Sequence, residues 1–241
     1  MRRMLLLLAL LLTAACEIGG PAQPPLDPAT EARLDRFVTV IQAVEPVAEQ
    51  ECVAMGIASN CNFQIEVDID PEAPANAFQW LDRRQRPVVT FTLTLLQQAE
   101  NSDELAFVLS HEVSHHILGH LQRQEQNART GAMIMGRMAT LDGASPGVVL
   151  KAREFGAALG ARSFSKDFEL EADQLGTVIA WESGFDPARG SAYFDRLPDP
   201  GDQFLGTHPP NAERKRLVRE TLRELERSGA QAVTGIAGAD G

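Results

Sequence analysis

The sequence has little cysteine, no excess of positive charge and almost no long apolar run. Three cysteines in 241 residues are too few for a disulfide-built mini-domain or a cysteine-rich zinc module. Basic residues number 22 against 33 acidic ones, giving a formal charge of −11. With no basic block in the chain, nucleic-acid binding through phosphate neutralisation is excluded. Glycine (19) and proline (14) are ordinary in number, and 44% of residues are hydrophobic, which excludes collagen-like and wholly disordered classes. The longest apolar run, Met4 to Leu12, has nine residues, and a membrane-crossing helix needs about 20.

That run has a different meaning. Met1-Arg2-Arg3 is a short positive segment before it, and Leu12-Thr13-Ala14-Ala15-Cys16 follows. A charged start, an apolar run and small residues make a secretory signal, and the ending resembles a bacterial lipobox, with Cys16 as the lipid-modified residue. The expected organisation is a signal peptide over 1–15 and a lipid-anchored flexible tether over 16–28, rich in Gly and Pro. A domain over 29–227 and a disordered tail over 228–241 complete it. The expected location is the periplasm, at a membrane. Glu17 stands where an aspartate usually goes with inner-membrane retention, so the outer membrane is favoured. In such an oxidising compartment Cys52 and Cys61, nine positions apart, read as a local disulfide; neither has a His or Cys partner nearby for metal binding.

Periodicity predicts a first helix from Ala29 to about Met55, with Pro46 as a kink or end. Phe63 to Ile69 alternates as a half-buried strand does, and Ala77–Leu81 and Val88–Leu93 are further strands around a charged loop, 82–86. Asn101-Ser102-Asp103-Glu104 caps a helix running to about His120. Two helical stretches flank the break at 143–147, another helix opens at Ser165 and stops at Gly184, and a last one spans Asn211 to Arg227. The fold class is α+β, a small sheet beside a largely helical body.

The chemistry lies in His111-Glu112-Val113-Ser114-His115. On a helix, residues four apart are separated by about 40° and one turn, so both imidazoles reach one ion. Glu112 is turned aside from them and can address a metal-bound water without being a ligand. Glu169 and Asp173, also four apart, share one face of the helix that begins at Ser165. Glu169 completes a His₂Glu set with one position open, and Asp173 can accept the free ring N–H of a ligand histidine. Glu171 reads as a solvated charge. His116 is expected to be exposed, and His120 to pack near the site without ligating. Met133 to Met138 forms an adaptable apolar surface, read as core or lid packing.

These residues resemble the zinc metallopeptidase family that includes HtpX and the CAAX prenyl endopeptidases, and within it the compact periplasmic lipoprotein branch of the BepA, LoiP and YcaL type. The resemblance rests on Asn76-Ala77-Phe78, on Glu104 through His120, on Phe164 through Gly176, and on Thr207-His208-Pro209-Pro210 with Arg214, in the family's order. It implies a zincin-type fold with one zinc ion per chain. His111, His115 and Glu169 would be the ligands and Glu112 the general base. His208 would donate to the oxyanion or close the site as an extra ligand, and Arg214 would support the carboxylates. The implied activity is hydrolysis of peptide bonds in unfolded or misassembled envelope proteins, with the Val88–Leu93 strand read as a sheet edge to which an extended peptide adds; a lipoprotein chaperone or assembly factor with a latent, His208-gated site is the alternative. Lys166 and the loop 82–86 depart from the family's pattern.

Overall fold

Asp27 starts the first helix by accepting hydrogen bonds from the Ala29 and Thr30 amides, both at 3.0 Å, with Pro28 in the first turn, where a missing N–H costs nothing. The computed structural model that begins here describes residues 27–163, 165–199 and 209–237. The expected signal peptide, most of the tether, Cys16, Phe164 and His208 therefore lie outside the described residues.

The first helix, α1 (Pro28–Met55), is not ended by Pro46. It buries Phe37, Val40, Val44, Ala48 and Cys52, a stripe at helical spacing that covers the core. Three strands follow: β1 (Gln64–Asp68), β2 (Ala77–Leu81) and β3 (Pro87–Thr92). Their order is β1-β3-β2. β1 is parallel to β3, with Ile65 opposite Val89, and β2 is antiparallel to it, with Phe78 opposite Thr90. All six β3 residues are buried, as a central strand covered on both faces requires. The Val88–Leu93 segment, read as an edge available to peptide, is thus the centre of the sheet. The charged loop 82–86 is a tight turn, with Asp82 accepting the Arg84 and Arg86 amides at 2.7 and 2.9 Å.

After a short α2 (Leu93–Gln98), helix α3 (Ser102–Ile117) runs through the middle of the molecule. Asn101 caps it, and twelve of its sixteen residues are buried, so a helix this enclosed is held by packing rather than by propensity. It ends at Ile117, before the His120 expected, because Gly119 adopts φ +67, a left-handed conformation that glycine takes without a steric penalty. The chain turns there into α4 (His120–Leu141), which pairs with α5 (Pro146–Arg162) as a hairpin. Helix α6 (Ser165–Glu182) returns to pack on α3. A short α7 (Pro187–Gly190) and a 3₁₀ segment (Ser191–Arg196) lead to α8 (Asn211–Ala237). α8 continues past Arg227, so residues 228–237 are helical where a disordered tail was expected; residues 238–241 lie outside the described set.

The bond between Cys52 and Cys61 is present. It joins the end of α1 to the loop before β1, and the intervening Asn60 carbonyl accepts from His116 Nε2 at 2.6 Å. His116 is buried and edge-on to Phe63, correcting its expected exposure: α1, the loop and β1 enclose that face of α3. Burial holds its pKa below the ordinary histidine value. Opening a loop of nine residues by Cys52→Ser with Cys61→Ser is expected to lower stability by about 2–3 kcal/mol. Urea unfolding of the two forms checks this.

Candidate metal centre

Helix α6 reaches α3 through Gly176, where a Cβ would stand 3.0 Å from the His111 amide nitrogen and 3.1 Å from its Cα. That contact is tighter than a side chain ordinarily tolerates against backbone, and it sets the acidic face of α6 against the histidines of α3. The Nε2 atoms of His111 and His115 are 3.1 Å apart. Glu169 places Oε2 at 3.6 Å from His111 Nε2 and Oε1 at 3.4 Å from His115 Nε2. Two ligands of a tetrahedral ion with bonds of about 2.0–2.1 Å stand about 3.3 Å apart. The three donors therefore fit a divalent cation with imidazole and carboxylate ligands, and among the described residues they are the His/Cys/Asp/Glu group brought within metal-binding reach.

Each histidine is oriented from behind. His111 Nδ1 lies 3.0 Å from Asp173 Oδ1, and Asp173 is fully buried. Arg214 grips the same carboxylate through Nε and Nη2, both at 2.7 Å. Burial works against the Asp173 charge, but Arg214, then His111, outweighs it and lowers the carboxyl below its ordinary range. An ionised Asp173 accepts from both neighbours, so His111 carries its proton on Nδ1 and turns the Nε2 lone pair inward. Arg214 also stacks on Phe194 at 3.9 Å and stands 3.5 Å from Glu169. Its position follows from Val218, one turn along α8, which packs with Phe107 and Phe194.

The second histidine has a different support. His115 Nδ1 lies 2.8 Å from His120 Nδ1, and His120 Nε2 lies 3.0 Å from Glu171 Oε2. Glu171 is held by Arg123 at 2.6 and 3.3 Å. Burial, with the neighbouring His115, brings His120 down to about 4, so its ring is neutral at pH 7. A neutral His120 that donates from Nε2 to Glu171 accepts at Nδ1 from His115 Nδ1–H. His115 then also faces the centre with its Nε2 lone pair. Both His120 and Arg123 lie against the Phe168 ring. Glu171, read as a solvated charge, is instead a working part of the site. The signal for it was present: His120 and Arg123 stand three apart on one face of α4, where a carboxylate opposite them has two partners.

Glu112 lines the same cleft as the three donors. Burial pushes its carboxyl above the usual carboxylate range, against the pull of His111 and His115. Burial also opposes a charge on His115, but hydrogen bonding to Glu169 prevails and raises its pKa. The cleft has a volume of about 370 Å³ and is bounded on one side by residues 75–79, which include the start of β2, and on the other by Phe168 and Phe194.

The profile of Peptidase family M48 matches residues 39–222, a stretch that contains every residue of this centre. The chain belongs to that family. It is 32% identical over 128 residues to the beta-barrel assembly-enhancing protease of Yersinia pestis, a match covering 48% of this chain and 26% of that protein. The same-named protein of Escherichia coli K12 is 30% identical over the same shares. The mitochondrial metalloendopeptidase OMA1 of Schizosaccharomyces pombe is 28% identical over 138 residues, 55% of this chain and 40% of that protein. The matched region thus spans well under half of these relatives. Family and relatives agree on a metalloprotease, as the ordered motifs implied.

Within this M48 centre, Asp173→Asn weakens the acceptor for His111 and leaves Arg214 without its charge partner. Metal affinity is expected to fall about 10–100-fold. Competition with a chromophoric chelator measures it, and Glu112→Gln, which removes no ligand, is expected to bind metal as the parent does.

Proposed function

We propose that this chain is a zinc-dependent endopeptidase of the bacterial cell envelope that cuts unfolded or misassembled proteins, with Glu112 as its general base. The observation that carries the reading is the convergence of His111, His115 and Glu169 at ligand spacing with a second, uncommitted carboxylate, Glu112, in the same cleft. A donor set of two imidazoles and one carboxylate without thiolate suits zinc in a catalytic site. Zinc held there supplies Lewis acidity and acidifies water.

The remaining work falls to the chain. Glu112 takes the proton of the attacking water and passes it to the leaving amine. Its burial favours that exchange, because a carboxyl raised above its ordinary range is both a better base and a competent acid near neutrality. Asp173 with Arg214, and His120 with Glu171, hold the two imidazoles so that their lone pairs do not wander. His208, outside the described residues, is assigned the oxyanion donor role that its family motif implies.

Recognition follows from the sheet. β2 is an edge strand among the described residues, and Ala77, Phe78 and Gln79 border the cleft. An extended peptide adding to this edge has its main chain held independently of its sequence. The substrate strand thus belongs on β2 rather than on the Val88–Leu93 segment. Loose main-chain recognition suits unfolded clients, and the names of the bacterial relatives make outer-membrane β-barrel proteins the first clients to consider. The leader, the lipobox at Cys16 and the Cys52–Cys61 bond support a periplasmic, lipid-anchored location, and Glu17 in place of an aspartate favours the outer membrane.

The test is hydrolysis of unfolded casein by the purified protein, with zinc content recorded. Glu112→Gln is expected to lower the rate by about 10²–10⁴-fold while zinc is retained, and chelation followed by zinc should abolish and restore cleavage. Zinc-loaded protein that is inert until His208→Ala is introduced would replace this reading with the latent assembly factor. Protein that takes up no zinc and cuts nothing would overturn both.

A further inference from the structure

The hairpin of α4 and α5 is built inside out. Two amphipathic helices in water put large apolar side chains in the seam between them and polar ones outside. Here the closest approach is made by glycine: a Cβ on Gly131 would stand 2.1 Å from the Gly156 carbonyl oxygen, and one on Gly160 2.1 Å from that of Asn127. The two backbones therefore touch, and the large apolar side chains are turned outward. On α4 these are Met133, Ile134, Met138 and Leu141; on α5 they are Val148, Leu150 and Phe155. All are between 50% and 76% exposed. On α5, Leu150 lies about 160° around the helix from Val148 at 100° per residue, so the exposed apolar residues do not share one face.

Among the described residues, no other element packs extensively on this surface. α4 and α5 pack mainly on each other, and α4 meets α3 at the root, where His120 and Arg123 reach Glu171. Small residues in the seam with large apolar ones outside is the arrangement helices adopt when their surroundings are as apolar as a core. The charge is also local. Residues 120–162 hold six basic and three acidic side chains, in a chain whose acids exceed its bases by 33 to 22. Arg137 lies between Met133 and Leu141 at four-residue spacing, and Lys151 follows Leu150, so long basic side chains flank the apolar tip and can reach headgroups. No described helix is long and apolar enough to cross a membrane, so the hairpin can enter only the interface.

We propose that the α4–α5 hairpin is a docking arm whose tip, around residues 133–155, inserts into the interfacial layer of an anionic phospholipid bilayer. Contact of this kind is independent of any lipid on Cys16. It has a consequence for the metal centre, because α4 starts at His120 on the cleft wall and its 22 residues span about 33 Å. The cleft is thereby held within roughly that distance of the bilayer surface, so proteins stalled near a membrane are presented to it first.

The experiment uses the full chain with Cys16→Ser and one new thiol, either Leu141→Cys at the tip or Gln126→Cys near the root, carrying an environment-sensitive fluorophore. It is mixed with vesicles of phosphatidylglycerol and phosphatidylethanolamine containing a doxyl-labelled lipid quencher. The tip probe is expected to shift to the blue and be quenched about twofold or more, and the root probe to remain unquenched. Arg137→Glu with Lys151→Glu should weaken vesicle partition by roughly tenfold, with thermal unfolding unchanged because both side chains are exposed. A tip probe that stays unquenched in these vesicles overturns the proposal. A tip probe shielded without lipid, in step with concentration-dependent self-association, overturns it in favour of a second copy of the chain.

Discussion

The buried carboxylate of Asp173 ties together the helices that build the candidate metal centre. It receives Arg214 from α8 on two oxygens and His111 from α3 on one of them, so three helices distant in sequence meet at one charge. Burying an ion pair gains little net stability over an apolar contact, but losing one partner costs about 3–5 kcal/mol because a charge is left unpaired. The interaction therefore acts as a condition on the arrangement: α8 must dock with Val218 on Phe107 and Phe194 for Arg214 to reach Asp173. α6 must press Gly176 onto α3 for Asp173 to reach His111. If either docking fails, the tautomer and direction of a metal-facing imidazole are lost.

The two histidines are supported by different means. Behind His111 stands a fully buried ion pair, insulated from solvent. Behind His115 stands a neutral histidine that passes the contact to Glu171, which is exposed on one side and gripped by Arg123. One support is buried; the other is half-exposed and opens toward the root of the α4–α5 hairpin. The metal centre and the hairpin thus share His120, the first residue of α4.

Much of the architecture was legible in the sequence. The alternation from Phe63, the apolar stripe from Phe37 to Cys52 and the capping side chains before Ser102 each use a local rule, and each element formed. Pro46 did not end α1, since packing along Phe37, Val44 and Cys52 outweighed local propensity. The reading of Val88–Leu93 as an edge failed for another reason. A strand's neighbours are non-local, and nothing within six residues records that β1 and β2 flank β3. His116 and Glu171 were misjudged alike, because burial and partners come from segments far along the chain: Asn60 for the one, His120 and Arg123 for the other.

Local spacing determined the chemistry of this protein. His111 and His115 one turn apart, Glu112 turned aside, and Glu169 and Asp173 on one helical face are consequences of a 3.6-residue period, readable without coordinates. Tertiary structure decided which of these groups meet and in what protonation state. The distances of 3.1 to 3.6 Å among the three donors depend on the closeness of α6 to α3. So does the outward exposure of the α4–α5 hairpin depend on how its glycines pack. Periodicity is a property of one helix, whereas desolvation and contact belong to pairs of elements, and only the folded chain chooses the pairs.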